Sequence, residues 1–244
     1  MAWTWNDQIK QELHNHNESQ RTAFPARVVG VASSGLSVTI EIANPRYSDD
    51  GINLDSTHIL TVPVCYPRTQ NSLIRMPIKV GDTGLCVVCD NNIDNTKLAN
   101  NNAAIAVRDD RMKDVMDSVF IPGFGPFALQ SEQMQALQFA YDANDLVVVH
   151  NTGTGAEVQL VLKADGNAEI NSAFTVKVNS KAIEFNATDA LTINAKSMNV
   201  NVANTTWTGT GNVTGEWVVN KIPVSTHVHL GVTAGNGVSG LPRG

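Results

Sequence analysis

A short repeated pattern in the second half of the chain constrains its fold more strongly than any other feature of the sequence. The pattern is an apolar residue, any residue, a second apolar residue and then Asn, and successive starts advance by 8, 7, 8 and 7 residues. Its five copies cover residues 168–171, 176–179, 183–186, 191–194 and 198–201, and Leu160 and Leu162 fit the pattern eight residues earlier with Lys163 in place of Asn. A unit of this length fits one short strand and a tight turn, because a strand with a helix needs more residues. The repeat therefore predicts stacked short strands, with Asn at the corners because Asn tolerates left-handed conformations.

Alternation along each predicted strand gives it one apolar face and one polar face. In the second copy, Val176 and Val178 point to one side and Lys177 points to the other. One chain of such short strands can neither cover its apolar face nor pair its own strand edges. We therefore expect three copies wound around a common axis, with apolar residues at the axis and polar residues in water. An ordinary β-sandwich and a single-chain β-helix are the alternatives.

Two histidines near the end of the chain, His227 and His229, are candidate metal ligands. In an extended segment they project from the same face, so three chains would bring six imidazole nitrogens to one point on the axis. Six nitrogen ligands favour iron or nickel, since zinc prefers four. Because no ligand position stays open, we expect a structural ion that holds together a tip too small for its own core.

The other candidate ligands are less convincing. His14 and His16 lie in a predicted helix, where residues two apart point in directions about 200° apart and cannot share a metal. Cys86 and Cys89 form a C-x-x-C pair, but residues 85–89 read as a strand whose positions i and i+3 face opposite sides. Together with Cys65, they are expected to be buried structural thiols.

Composition argues against several function classes. The net charge is −6 and the basic residues are scattered, so no nucleic-acid or anionic-lipid partner is expected. No segment approaches the roughly 18 apolar residues of a spanning helix and no signal peptide is apparent, so we expect a soluble chain made in the cytoplasm. No G-x-S-x-G, H-E-x-x-H or P-loop motif is present, so neither catalysis nor a small-molecule substrate is expected.

The first half of the chain contains short β-rich runs separated by turn-rich segments. Five such runs predict a small barrel, and they cover residues 27–32, 37–43, 59–66, 85–89 and 104–107. Helices are predicted at 109–118 and 131–142, with a loop at 120–127. Residues 1–20 carry a partial helical stripe that needs a partner surface to be stable.

Two segments resemble a known family. The end of the chain, STHVHLGV at 225–232 followed by Gly235 and 240–242, resembles the apex of the central spike of contractile-tailed phages, the baseplate assembly protein V type. The segment PIKVGDTGLCVV at 77–88 is similar to part of that family's oligonucleotide/oligosaccharide-binding (OB) barrel. The resemblance implies a homotrimer with its barrel under the tail tube, a β-helical shaft, and a tip in which His227 and His229 of three chains hold one buried iron ion.

With this resemblance, the expected fold class is all-β: an N-terminal OB-fold barrel, then an intertwined trimeric (triple-stranded) β-helix with a small metal-bound apex. The expected regions are an N-terminal arm at 1–20, the barrel at 21–110, a linker with possible helices at 111–145, the shaft at 146–222 and the apex at 223–244. The arm and an Asn-rich loop after Asp90 are not explained by the resemblance.

The implied function is mechanical: a non-enzymatic spike at the tip of the virion's tail baseplate pierces the host outer membrane. Its implied partners are two further copies, tail tube and baseplate proteins, and the membrane itself. A tail-fibre-like adhesin that binds surface polysaccharide is one alternative, although the repeat region has few aromatic residues. A spike of a related secretion system and an H-x-H metalloenzyme with an open ligand position are two others.

Overall fold

The computed structural model describes residues 5–48, 50–55, 58–101 and 103–225, without the side chains of 14–19. The chain forms two compact units, residues 1–178 and 179–244. It is mostly β, with little helix. Within the described ranges, no helix combines the length and the apolar character that crossing a bilayer requires.

Five antiparallel strands form a curled, barrel-like sheet in the first unit, in the order β3-β2-β1-β4-β5. Val64, just after β3, pairs with Phe120 of β5, and the backbone N–H of Cys65 donates to the Phe120 carbonyl at 2.8 Å. The two edge strands therefore meet, which gives the cyclic order β1-β2-β3-β5-β4. The strands are β1 Ala23–Val31, β2 Ser37–Ile42, β3 Ile59–Pro63, β4 Thr83–Val88 and β5 Ser118–Pro122.

The core of this sheet follows from period-two alternation in the sequence. Strand β2 buries Val38, Ile40 and Ile42 and directs the residues between them outward. Phe120 enters the same core from β5 and is fully buried. Gly84 makes room for it, since a Cβ at that position would lie 2.5 Å from atoms of the Phe120 ring.

Three local predictions around the fifth strand were wrong. Residues 104–107 form no strand, and the predicted helix at 109–118 is only a 3-10 turn, Val115–Asp117. The strand β5 occupies part of the predicted loop, because Ser118 and Phe120 become buried when they pair with β4. Long-range pairing thus overrides the Gly- and Pro-rich local sequence that indicated a loop.

The described part of the chain also contains three α-helices. Helix α1, Trp5–Ser19, confirms the helical stripe predicted near the N-terminus, and its Trp5 and Leu13 are exposed. Helix α2, Asp94–Leu98, lies in the Asn-rich segment and was not predicted. Helix α3, Phe127–Gln135, begins and ends earlier than the predicted 131–142. It starts directly after Pro126, a residue suited to the beginning of a helix because its φ is fixed.

A second antiparallel sheet contains β6 Leu146–His150, β7 Val158–Leu162 and β8 Ala168–Ser172. Strand β8 contains the first copy of the repeat, at 168–171. Strand β7 contains Leu160 and Leu162, which fit the same pattern eight residues earlier. In the other unit, β9 Val218–Val219 pairs with β10 Ile222–Pro223. Residues 173–217, all described, form no strand within the single chain.

Candidate functional site

The predicted metal ligands, His227 and His229, lie outside the described residues. Within the described ranges, no three His, Cys, Asp or Glu side chains converge as a metal-binding group. The features that bear on function in the described part of the chain are therefore its uncovered apolar surfaces and its buried ionised groups.

The apolar residues of the repeat are exposed in the single chain. Leu191 is 63% exposed and Ile193 is 58% exposed, whereas Ile40 of the barrel is fully buried. Each square ångström of apolar surface left in water forgoes about 25 cal/mol of stabilisation, so this stretch lacks most of its own burial energy. The exposed large apolar residues of the five copies are Ile170, Val176, Val178, Ile183, Phe185, Leu191, Ile193, Met198 and Val200.

One face of the β6–β8 sheet is also uncovered. Strand pairing places nine residues on this face in three rows, and we call it the stem face: Leu146, Leu162 and Ala168; Val148, Leu160 and Ile170; His150, Val158 and Ser172. Its six large aliphatic side chains are exposed, from Leu160 at 41% to Ile170 at 63%.

The opposite face of the same sheet is covered by the chain's own linker. Val161, Gln159 and Glu157 are fully buried there. The Glu157 Oε1 atom accepts from the backbone N–H groups of Gln138 at 3.0 Å and Phe139 at 3.4 Å, and Gln159 Nε2 donates to the Phe139 carbonyl at 3.4 Å. The linker therefore packs on one face of the sheet and leaves the stem face uncovered.

A buried carboxylate, Asp55, anchors the loop between β2 and β3. Arg21 donates from Nε to Oδ1 at 3.0 Å and also pairs through Nη2 with Oδ2, while the Arg46 backbone N–H donates to Oδ2 at 2.6 Å. Burial raises the pKa of Asp55, but these hydrogen bonds outweigh burial and lower it to about 2. Sequence alone did not predict this cluster, because Arg21 and Asp55 are 34 positions apart.

The low pKa of Asp55 predicts acid sensitivity of the barrel. Because the folded-state pKa lies below the unfolded value, the stabilisation is complete above about pH 4 and is lost as the pH falls toward about 2. In thermal unfolding followed from pH 7 to 2, Asp55→Asn should remove up to about 2 kcal/mol of this pH dependence. Asp50→Asn, at an exposed acid in the same loop, is the control and should keep the wild-type profile.

A second buried carboxylate, Asp117, holds the segment between β4 and β5 against the barrel. Arg111 donates to it twice, from Nε to Oδ2 at 2.7 Å and from Nη2 to Oδ1 at 2.9 Å, and the Ile93 backbone N–H donates to Oδ1 at 3.0 Å. Burial raises the pKa of Asp117, but the Arg111 hydrogen bonds and charge lower it overall. Both carboxylates, at Asp55 and Asp117, are thus neutralised by arginine and hold loops in place.

The three cysteines are unpaired, but their expected burial is only partly correct. Cys86 is buried, Cys89 is half-buried and Cys65 is exposed. Burial raises the pKa of the Cys86 thiol to about 12, and burial followed by the nearby Asp117 and Asp90 charges raises the pKa of Cys89. Both thiols therefore stay protonated near neutral pH, which disfavours nucleophilic or metal-binding roles for this pair.

The barrel-like sheet is similar to a known protein family. Residues 24–123, which contain β1 to β5, match the family model described as the phage protein Gp138 N-terminal domain. No curated protein matches the chain. The matched segment ends just after β5, so it covers the barrel-like sheet and its bracing carboxylates and stops before the β6–β8 sheet. The match shows that the barrel-like sheet is similar to the N-terminal domain of a phage protein.

Proposed function

We propose that the chain is the subunit of a homotrimeric, cell-puncturing spike at the tip of a contractile phage tail. The observation that carries the proposal is the exposure of the repeat's apolar residues in the single chain, such as Val178, Phe185 and Leu191. Two further copies provide the cover that one chain lacks, since the same residues of three chains meet at a common axis. Strand edges then pair between chains, which explains why residues 173–217 form no strand alone.

A shaft built in this way suits a mechanical task. Its interior is apolar and close-packed, and protein interiors at crystal-like density have low compressibility. Force applied at the barrel end is therefore transmitted to the tip with little loss to bending. The spike pierces the host outer membrane by this stiffness and needs no catalytic site.

The barrel-like sheet serves as the attachment to the tail. Its cyclic order, β1-β2-β3-β5-β4, supports an OB-fold barrel, which is a five-stranded, partly open Greek-key barrel. The phage family match over residues 24–123 supports tail tube and baseplate proteins as its partners. Loops braced by Asp55 and Asp117 give these contacts a fixed shape.

The tip is closed by one iron ion per trimer, held by His227 and His229 of each chain. Six imidazole nitrogens complete an octahedral shell, a donor set that suits iron or nickel. The ion supplies structural cross-links between three chains at their ends, where chain termini otherwise loosen. Both ligands lie in the segment STHVH at 225–229.

Two variants in one repeat unit test the proposal in phage particles. Leu191→Asp with Ile193→Asp places charges at the shaft axis, whereas Thr192→Asp places one charge on the outer face. We expect particles with the double variant to adsorb to cells normally and to deliver no DNA, and particles with Thr192→Asp to infect normally. Loss of adsorption by the double variant, with glycan binding by the purified wild-type chain, would instead favour the adhesin.

A further inference from the structure

The stem face differs from the shaft repeat in one respect, because it is already folded in each chain. Backbone pairing fixes its three rows, from Leu146 opposite Leu162 to Val158 opposite Ser172. Its reverse side is closed by Val161, Gln159 and Glu157, all fully buried. Surfaces that are ordered before association bind with a smaller entropic cost than segments that order on binding.

We propose that the stem face is the surface on which three chains first dock and fix their register, before the shaft winds. This inference rests on the proposed three-chain spike and adds an order of assembly to it. The occupant of each stem face is the stem face of the other two copies, arranged around the axis.

The charges of the sheet favour this occupant. The stem face contains no Asp, Glu, Lys or Arg, so three copies of it meet without repulsion between like charges. The charged residue Glu169 lies on the other face, opposite Val161, where it pairs with Lys163 at 2.6 Å. Three-fold symmetry brings three copies of this face to one axis, where an apolar face without charged groups can pack against its copies.

The size of the stem face also fits an interface between copies of the chain. Six exposed aliphatic side chains amount to an apolar patch on the order of 500 Å², a size that marks interaction sites on soluble proteins. A specific interface buries about 800 Å² per partner, so the stem face supplies a large part of that area before any shaft residue contributes. Residues 173–217, which form no strand alone, then pair between chains whose register is already set.

Charge substitutions in the full-length chain test this order. Val148→Asp with Leu160→Asp, neighbours in the middle row, would place six carboxylates at the axis. We expect the dissociation constant of the trimer to rise by at least about 100-fold in this double variant, because like charges brought together cost several kcal/mol. The shaft variant Leu191→Asp with Ile193→Asp should remain a trimer with a protease-sensitive shaft. Leu98→Asp, at an exposed leucine of α2, is the control and should remain a trimer.

Cross-linking of single-cysteine substitutions tests the same docking surface if the Val148→Asp, Leu160→Asp chain does not fold. Val148→Cys on the stem face should give cross-linked chains with a short bifunctional thiol reagent, whereas Val147→Cys on the opposite face of β6 should give only the wild-type background. Two results would overturn the docking role of the stem face but not the three-chain spike. One is a Val148→Cys chain that is trimeric and does not cross-link, and the other is a Val148→Asp, Leu160→Asp chain that stays trimeric. A monomeric wild-type chain overturns the three-chain spike as well.

Discussion

The double variant His227→Ala, His229→Ala should lose all bound iron and expose residues 223–244 to proteases, while the shaft stays trimeric. In the proposed site each chain contributes two of six ligands, so the double substitution would leave the ion with no protein nitrogen in its shell. The sequence of residues 223–244 is short and Gly-rich, so we expect the order of the proposed tip to depend on the metal. Metal content by mass spectrometry and limited proteolysis of the same sample measure both effects.

A second H-x-H pair in the same chain provides the matched control. His14 and His16 belong to α1, and positions two apart in a helix are separated by about 200° around its axis. Their replacement by Ala should leave the iron content at the wild-type value. A tip that stays protected from proteases after complete loss of metal would contradict the structural role of the ion.

The variant Phe120→Ala should destabilise the barrel-like sheet by about 3–5 kcal/mol, through lost burial and the cavity left behind. Phe120 is fully buried, and its backbone pairs with Cys86 of β4 and with Val64 after β3. Its ring fills the space that Gly84 leaves open, so neighbours cannot easily close over a cavity there. Thermal or denaturant unfolding of the variant measures the loss.

The neighbouring Ile121 is a control on the same strand. Its side chain points away from the core and is 41% exposed. Ile121→Ala should therefore cost less than about 1 kcal/mol, in the range of surface substitutions. Equal destabilisation by Phe120→Ala and Ile121→Ala would show that the sheet does not enclose the core described here.

The parts of the fold that were predictable are those in which a local pattern decides the structure. The β-rich run at 37–43 predicted strand β2, because its residue types and turn-rich flanks are visible within a few residues. Strand β5 was missed because Phe120 becomes a strand residue only through pairing with β4, 34 positions earlier at Cys86. The ion pair of Arg21 with Asp55 was missed for the same reason, since no local pattern joins residues so far apart.

The candidate assembly surfaces were partly predictable. The repeat identified Leu160 and Leu162 as residues of one apolar face, and the structure shows that face uncovered. The contribution of Val148 was not predictable, because residues 146–149 are all apolar and do not distinguish one face from the other. Only pairing with β7 assigns Val148 to the stem face and Val147 to the covered face.

The mass of the full-length chain in solution, measured together with its metal content, tests the central claim most directly. The three-chain spike predicts a particle of three times 26.2 kDa that contains one transition-metal ion. Light scattering at micromolar concentration and elemental analysis of the same fraction give both values. A particle of 26.2 kDa without such an ion would contradict the account.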